Sequence, residues 1–252
     1  MIVGPIDSID WLVVLMLCLI FFLAGTIKGT LGIGLPTASV TMMALFLPPK
    51  MALALVVFPI LTTNFRQFYR SKNHKEVTTR FRLMAVVLFI SLGMTTFFTA
   101  RLESDQIRMV IGSAICIFCV TSWSFPYFEL PEKLDAIFQM IFGFLSGVMG
   151  GLTSIWAPPL VIYLIGKKVD RETFIATSGF LFSVGSFPLL IGFILNGMMT
   201  YELGLLSIFC IIPTFFGYIM GESLREKLSA ELFRKAVIFV FFAAGLRLIW
   251  LE

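Results

Sequence analysis

Apolar residues run along this chain in long, nearly unbroken stretches separated by short polar and charged clusters. The stretches cover 9–28, 52–65, 83–100, 107–125, 174–195, 203–221 and 232–251. They are continuous rather than alternating, so they predict helices and not the strands of a β-barrel. A helix needs roughly 20 predominantly apolar residues to cross a bilayer. Two further runs, 35–47 and 155–166, are too short to cross comfortably, and each follows another apolar run closely, 9–28 and 134–149.

The breaks between these paired runs share a pattern. The first reads GTIKGTLGIGLPTASV, Gly25 to Val40, with a lysine among glycines and a proline after them. Shifting the sequence by 122 positions places Gly25 on Gly147, Gly29 on Gly151, Ile33 on Ile155 and Pro36 on Pro158. The register continues without a gap to Ala54 on Ala176, Phe58 on Phe180 and Phe65 on Phe187. These identities predict an internal duplication, with repeats over 1–126 and 127–252 that meet near PYFELPEK, Pro126 to Lys133. Together they would make one transport domain, because transporter folds are often built from such repeats. Each repeat would open with a hairpin that dips into the membrane, followed by three full spans. The tips, Lys28–Pro36 and Gly150–Pro158, would have to lie inside protein, since lipid cannot satisfy irregular backbone.

Charge tests this arrangement. With hairpins, one side of the membrane receives 14 lysines and arginines and the other receives 4. If each broken segment crossed once instead, the sides would carry 8 and 10. The positive-inside rule favours the hairpins and inverted repeats. It places both termini outside the cytoplasm and the loop YRSKNHKEVTTRFR inside it. The expected location is the inner (plasma) membrane.

Composition agrees with a bilayer as solvent. Of the 252 residues, 58% are hydrophobic and 13% charged, too few charges to cover a soluble domain of this size. The expected fold is therefore an all-α polytopic membrane protein. The first run lacks a basic leader, carrying Asp7 and Asp10 instead, and is expected to stay in the membrane. The net charge of +4 reports orientation and not nucleic acid. Cys18, Cys116, Cys119 and Cys210 all lie in apolar runs and read as small packing residues. No cofactor or metal is expected.

The tips carry the candidate chemistry. A helix that starts inside the membrane presents unpaired N–H groups and the positive end of its dipole, which together attract an anion. Pro36 and Pro158 mark the two starts, and Thr153 and Ser154 stand where capping residues would. Gly29, Gly32 and Gly34 in one tip, and Gly150 and Gly151 in the other, would let backbone approach a ligand. Lys28 adds a charge that would cost roughly 2.5–3.5 kcal/mol at a helix centre, and no acidic residue in the apolar runs offers itself as partner. Thr30 and Trp156 also fall in the tips. Asn64 and Ser186 align with each other, and with Ser183 they would complete a polar site. Arg66 reads as an anchor at the membrane edge, and the single histidine, His74, as solvated.

At GTIKGTLGIGLPT and SGVMGGLTSIWAPP the chain resembles the sulfite exporter TauE/SafE family, also called the toluene-sulfonate uptake permeases, over about Val13 to Trp250. The resemblance implies transport of organosulfur anions such as sulfite, sulfoacetate, taurine-related sulfonates or thiosulfate. Two features depart from it. Gly150 stands opposite Lys28 and Trp156 opposite Gly34, and the family is usually described with seven or eight spans, not six spans and two hairpins. A secondary transporter of small anions is thus the first reading. An intramembrane enzyme is an alternative, although no His/Asp/Glu set or ATP-binding motif lies in the apolar runs. A non-transporting membrane subunit is the other, and it would not need two matched broken segments. Homodimerisation and coupling to protons or another ion stay open.

The topology gives a direct expectation. A reporter fused after Glu252 should be extracytoplasmic, and one inserted at Asn73 cytoplasmic. Finding both on one side would refute the inverted arrangement.

Overall fold

A computed structural model describes residues 11–71, 74–124, 129–224, 238–239, 242–243 and 245–250. The described residues form helices and connections, with no strand among them. In chain order the helices are α1 (Trp11–Leu31), α2 (Leu35–Met43), α3 (Pro49–Leu55), α4 (Val57–Arg70), α5 (His74–Arg80), α6 (Arg82–Thr99), α7 (Ser104–Ser124), α8 (Asp135–Thr153), α9 (Ala157–Gly166), α10 (Arg171–Leu195), α11 (Tyr201–Phe209) and α12 (Ile211–Leu224). Among the described residues, six segments are long and apolar enough to cross a membrane: α1, Pro49–Arg70, α6, Glu132–Thr153, α10 and Tyr201–Leu224. The chain is a polytopic, all-helical membrane protein. Half of the last apolar run, 232–251, lies outside the described residues; the described positions 238–239, 242–243 and 245–250 are helical.

Prolines set the internal breaks. Pro59 has no N–H, so the Leu55 carbonyl loses its helical donor. The Ser207 hydroxyl donates to that carbonyl instead, at 2.7 Å, and the α3–α4 break at Val56 is closed from a neighbouring helix. Polar side chains cap two of the helices, α10 and α11. Asp170 accepts from the N–H groups of Glu172 and Thr173 at the head of α10, and Thr200 accepts from Leu203 N at the head of α11.

Helix directions follow from the contacts. Phe22 meets Gly217, Thr26 meets Gly221 and Gly29 meets Glu222, so α1 and α12 run parallel. The α3–α4 segment runs with them, since Leu55 bonds Ser207 and Arg66 bonds Glu222. A second set runs together as well. Met84, Leu88 and Leu92 of α6 meet Gly143, Gly147 and Gly151 of α8, while Leu88, Gly93 and Thr96 meet Gly185, Pro188 and Gly192 of α10. The two sets oppose each other: Gln67, near the end of α4, bonds the Ile175 carbonyl near the start of α10.

Parallel α8 and α10 are consecutive apart from α9, so α9 has to carry the chain back. It returns to the base of α8, where Gly166 O accepts from Leu130 N at 2.8 Å and Lys167 pairs with Asp135 at 3.1 Å. Tyr163 and Gln139 donate to the same carboxylate, both at 2.9 Å. By the same logic α2, with the turn after it, carries the chain back between parallel α1 and α4. Both short helices are therefore return legs of hairpins. Several basic loops share one end of the bundle: Gln139 bonds the Arg80 carbonyl, Lys168 pairs with Glu129, and Arg66 pairs with Glu222.

Hydroxyls tie the tips to neighbouring helices as well: Thr30 donates to Gly221 O, and Thr99 donates to Gly151 O. The glycines of α1, α8 and α12 let backbones touch, the usual device where lipid supplies no hydrophobic drive between helices. A Cβ on Gly217 would overlap the Phe22 carbonyl. Gly217→Leu should therefore lower the thermal midpoint in detergent, by roughly 1–3 kcal/mol or more of overpacking. Gly204→Leu should leave it unchanged, because the nearest atom to a Cβ there is the Met199 sulfur at 4.0 Å.

Candidate functional site

The first tip is narrower than the glycines predict. The α1 helix continues through Lys28, Gly29 and Thr30 to Leu31, and only residues 32–34 break it. Gly32 and Gly34 take φ of 80° and 101°, the left-handed region that side chains resist. Gly34 caps α2 with no side-chain bond, and Pro36 sits in its first turn.

Lys28 thus projects from the last turn of α1. Side chains on a helix lean towards its N-terminus, which turns this one back into the bundle. It is 1% exposed, donates to Asn64 Oδ1 on α4, and its nitrogen lies 5.8 Å from the centre of the Phe182 ring. Phe182 sits about halfway along α10. No ion pair involves Lys28 among the described residues.

The second tip reaches the same ring from the other hairpin. Trp156 caps α9, is 1% exposed, and meets Phe182 edge-on at 5.5 Å. A Cβ on Gly150 would press on the indole at 2.9 Å, so the glycine makes room for it. Pro158 lies in the first turn of α9. Thr153 and Ser154 do not cap α9 as the sequence suggested. Thr153 ends α8, and Ser154 follows it at φ 57°. The Thr153 hydroxyl bonds Met149 O and accepts from Ile155 N, and Ser154 bonds Leu53 O at 3.5 Å. These two close the helix that ends, because the chain turns immediately after it.

Lys28 and Trp156 thereby meet at the ring of Phe182, and Asn64 joins them through its bond with Lys28. The remaining predicted residues sit differently. Gly29 faces the α12 backbone, and Gly151 faces Thr95 with 2.6 Å left for a Cβ. Thr30, Ser183 and Ser186 bond carbonyls of helices. The two tips also do not meet head to head: the first lies beside Gly221 and Glu222, the second beside Thr95 and Thr99, and these are the C-terminal ends of opposed helices. Their side chains converge instead.

Sequence reasoning missed Phe182, because one phenylalanine among 28 carries no signal. It also missed the bond from Lys28 to Asn64, although both residues were candidates. Arg66 is more than an edge anchor. It bonds Glu222 at 2.9 Å and lies between the rings of Phe215 and Tyr218, at 5.1 and 4.9 Å.

Hydrogen-bond capacity is left over at the site. Among the described residues, Asn64 Nδ2 and Trp156 Nε1 are buried donors with no partner. An ammonium carries three N–H donors, and Asn64 takes one from Lys28. Unpaired buried donors cost about 1–3 kcal/mol each, so a group that accepts from them would bind well. The arrangement suits an oxyanion and offers no acid, base or nucleophile in contact with Lys28. Trp156→Phe keeps the ring against Phe182 and removes one donor. It should leave the thermal midpoint near that of the wild type and weaken anion binding measurably by calorimetry.

A family model described as Sulfite exporter TauE/SafE matches residues 17–248. No curated protein and no solved structure matches the chain.

Proposed function

The chain belongs to the sulfite exporter TauE/SafE family, a family of membrane transporters and not of enzymes, and we propose that it carries small organosulfur anions of the sulfite and sulfonate type, such as sulfoacetate, through a site centred on Lys28. One observation carries this reading. A buried lysine without a carboxylate partner bonds Asn64, whose amide N–H is unpaired, and shares the Phe182 ring with Trp156, whose indole N–H is unpaired too. A cation left alone in low dielectric is costly. An anion offsets that cost on arrival, and the same low dielectric strengthens the pair.

The substrate's oxygens would accept from Lys28, Asn64 and Trp156, with the uncapped starts of α2 and α9 adding positive potential. The face of Phe182 would meet the less polar part of the anion. Lys28, Asn64, Trp156 and Phe182 are each at most 2% exposed, so the described conformation is closed to both ends of the bundle. Alternating access would open one end at a time by moving the hairpins against the helices they lie on.

The proposed setting is the inner membrane, with both termini outside and the basic loops in the cytoplasm. The opposed helix sets and return legs support that inverted arrangement, and the charge bias gives its sign. Partners in this reading are the anion and the bilayer, with a homodimer and a coupling proton or ion left to experiment.

Lys28→Met removes the charge and keeps most of the side-chain length. It should weaken binding of sulfite or a sulfonate by roughly 1.5–3 kcal/mol, the range for hydrogen bonds to charged groups. Calorimetry on detergent-purified protein, with uptake into proteoliposomes, measures this. Unchanged affinity in a folded Lys28→Met protein would refute the central site. Lys28→Arg should retain more affinity and change selectivity, because a planar fork differs from a compact ammonium.

A further inference from the structure

We propose that the cleft at the basic end of the bundle is a second anion site, in which the Glu222 carboxylate occupies the place of the anion until one arrives. The cleft, of about 360 Å³, lies between the end of α4, the start of α10 and the end of α12. Arg70, Arg171 and Gln67 line it together with Glu222 and Tyr218. The first hairpin tip packs against this lining: Ile175 would touch a Cβ on Gly32 at 3.4 Å, and Gly29 lies on the backbone of Tyr218 and Glu222. The cleft therefore borders the hairpin that carries Lys28.

Its charges are arranged for exchange. One oxygen of Glu222 bonds Arg66 at 2.9 Å and lies 3.7 Å from Arg70. Arg66 is held between the rings of Phe215 and Tyr218 and cannot swing away freely. Arg70 is 65% exposed along its side chain and is open to an incoming ion. Arg171 faces the same space with no ion pair among the described residues, and Glu172 is the other acid at the rim. A second feature points to a ligand. Gln67 is 3% exposed and spends its amide N–H on Ile175 O and Ser178 Oγ, which leaves its buried oxygen unpaired at the cleft. An anion bearing an O–H or N–H could pair with the arginines and donate to Gln67. A carboxylate and an oxyanion are interchangeable partners for a guanidinium. Displacement of Glu222 would free the end of α12 where it lies on Gly29, which couples occupancy of the cleft to the hairpin that carries Lys28.

This inference rests on the family's role in anion transport but not on Lys28. The test is calorimetry with methanesulfonate, a non-titrating monoanion, on full-length protein in detergent at low ionic strength. Glu222→Gln keeps the shape and removes the competing charge. It should tighten binding about tenfold, in the wild-type background and in Lys28→Met alike, a modest share of one close charge pair. Arg70→Gln alters an exposed side chain that is not needed for folding, and should weaken binding several-fold in the Lys28→Met background. Equal or weaker affinity in a Glu222→Gln protein that melts as the wild type does would overturn the proposal. Unchanged affinity in Arg70→Gln would overturn it too, even if Glu222→Gln failed to fold. A Lys28→Met protein that binds like wild type, yet still responds to Glu222→Gln, would refute the central site alone.

Discussion

A helix that ends inside a bilayer leaves backbone groups that lipid cannot pair, and the rest of this structure depends on where those ends are put. The hairpin tips contribute four helix ends among the described residues: the ends of α1 and α8 and the starts of α2 and α9. Gly32 N–H returns to Lys28 O, and Ser154 N–H returns to Gly150 O, so the ending helices partly close on themselves. The starting helices do not. Gly34 and Trp156 offer them no side-chain cap. Their donors have to face protein or a ligand, and both starts are buried, Leu35 and Pro36 in one tip and Trp156 and Ala157 in the other.

Burying the tips requires neighbours that approach very closely. The α1 and α8 helices are held along their length by glycine contacts on α12 and α6, with backbone atoms touching backbone atoms. Glycine is a poor helix former in water, by about 1 kcal/mol relative to alanine. In lipid the balance shifts, because tight backbone contact supplies the dispersion energy that hydrophobic exclusion cannot. The same residues therefore serve two ends: spaced along a helix they join helices, and at Gly32 and Gly34 they break one.

The sequence made the elements legible because their signal is long. Runs of apolar residues, two short ones among them, sufficed to place the short helices α2 and α9 within a few residues. The division of labour among the glycines was not legible. Gly29 and Gly32 look alike on paper, and only the partner helix decides that one meets Tyr218 while the other turns the chain. The site was half legible. Lys28, Asn64 and Trp156 stood out as polar or bulky groups where none were needed, but Phe182, which brings them together, is one aromatic residue among many. The ion pair of Arg66 with Glu222 was also hidden, since it joins residues 156 apart.

The two hairpins are alike in outline and unequal in energy. The base of the second is clasped by Asp135, which holds Lys167, Tyr163 and Gln139 at once, and Gln139 in turn bonds the backbone of α6 at Arg80 and Met84. The aligned positions in the first hairpin are Val13 and Leu45, which pack but cannot bond. Lys167 is 3% exposed along its side chain, so its pair with Asp135 is shielded, and breaking it would strand a buried charge. Moving the second hairpin at its base thus costs several interactions together, whereas the first yields by sliding apolar contacts. Lys28 rides on the hairpin whose base carries no such clasp, and the cleft that borders Glu222 lies against that hairpin's tip. A charge change there acts on a hairpin held by close backbone packing along α1 rather than by ion pairs at its base.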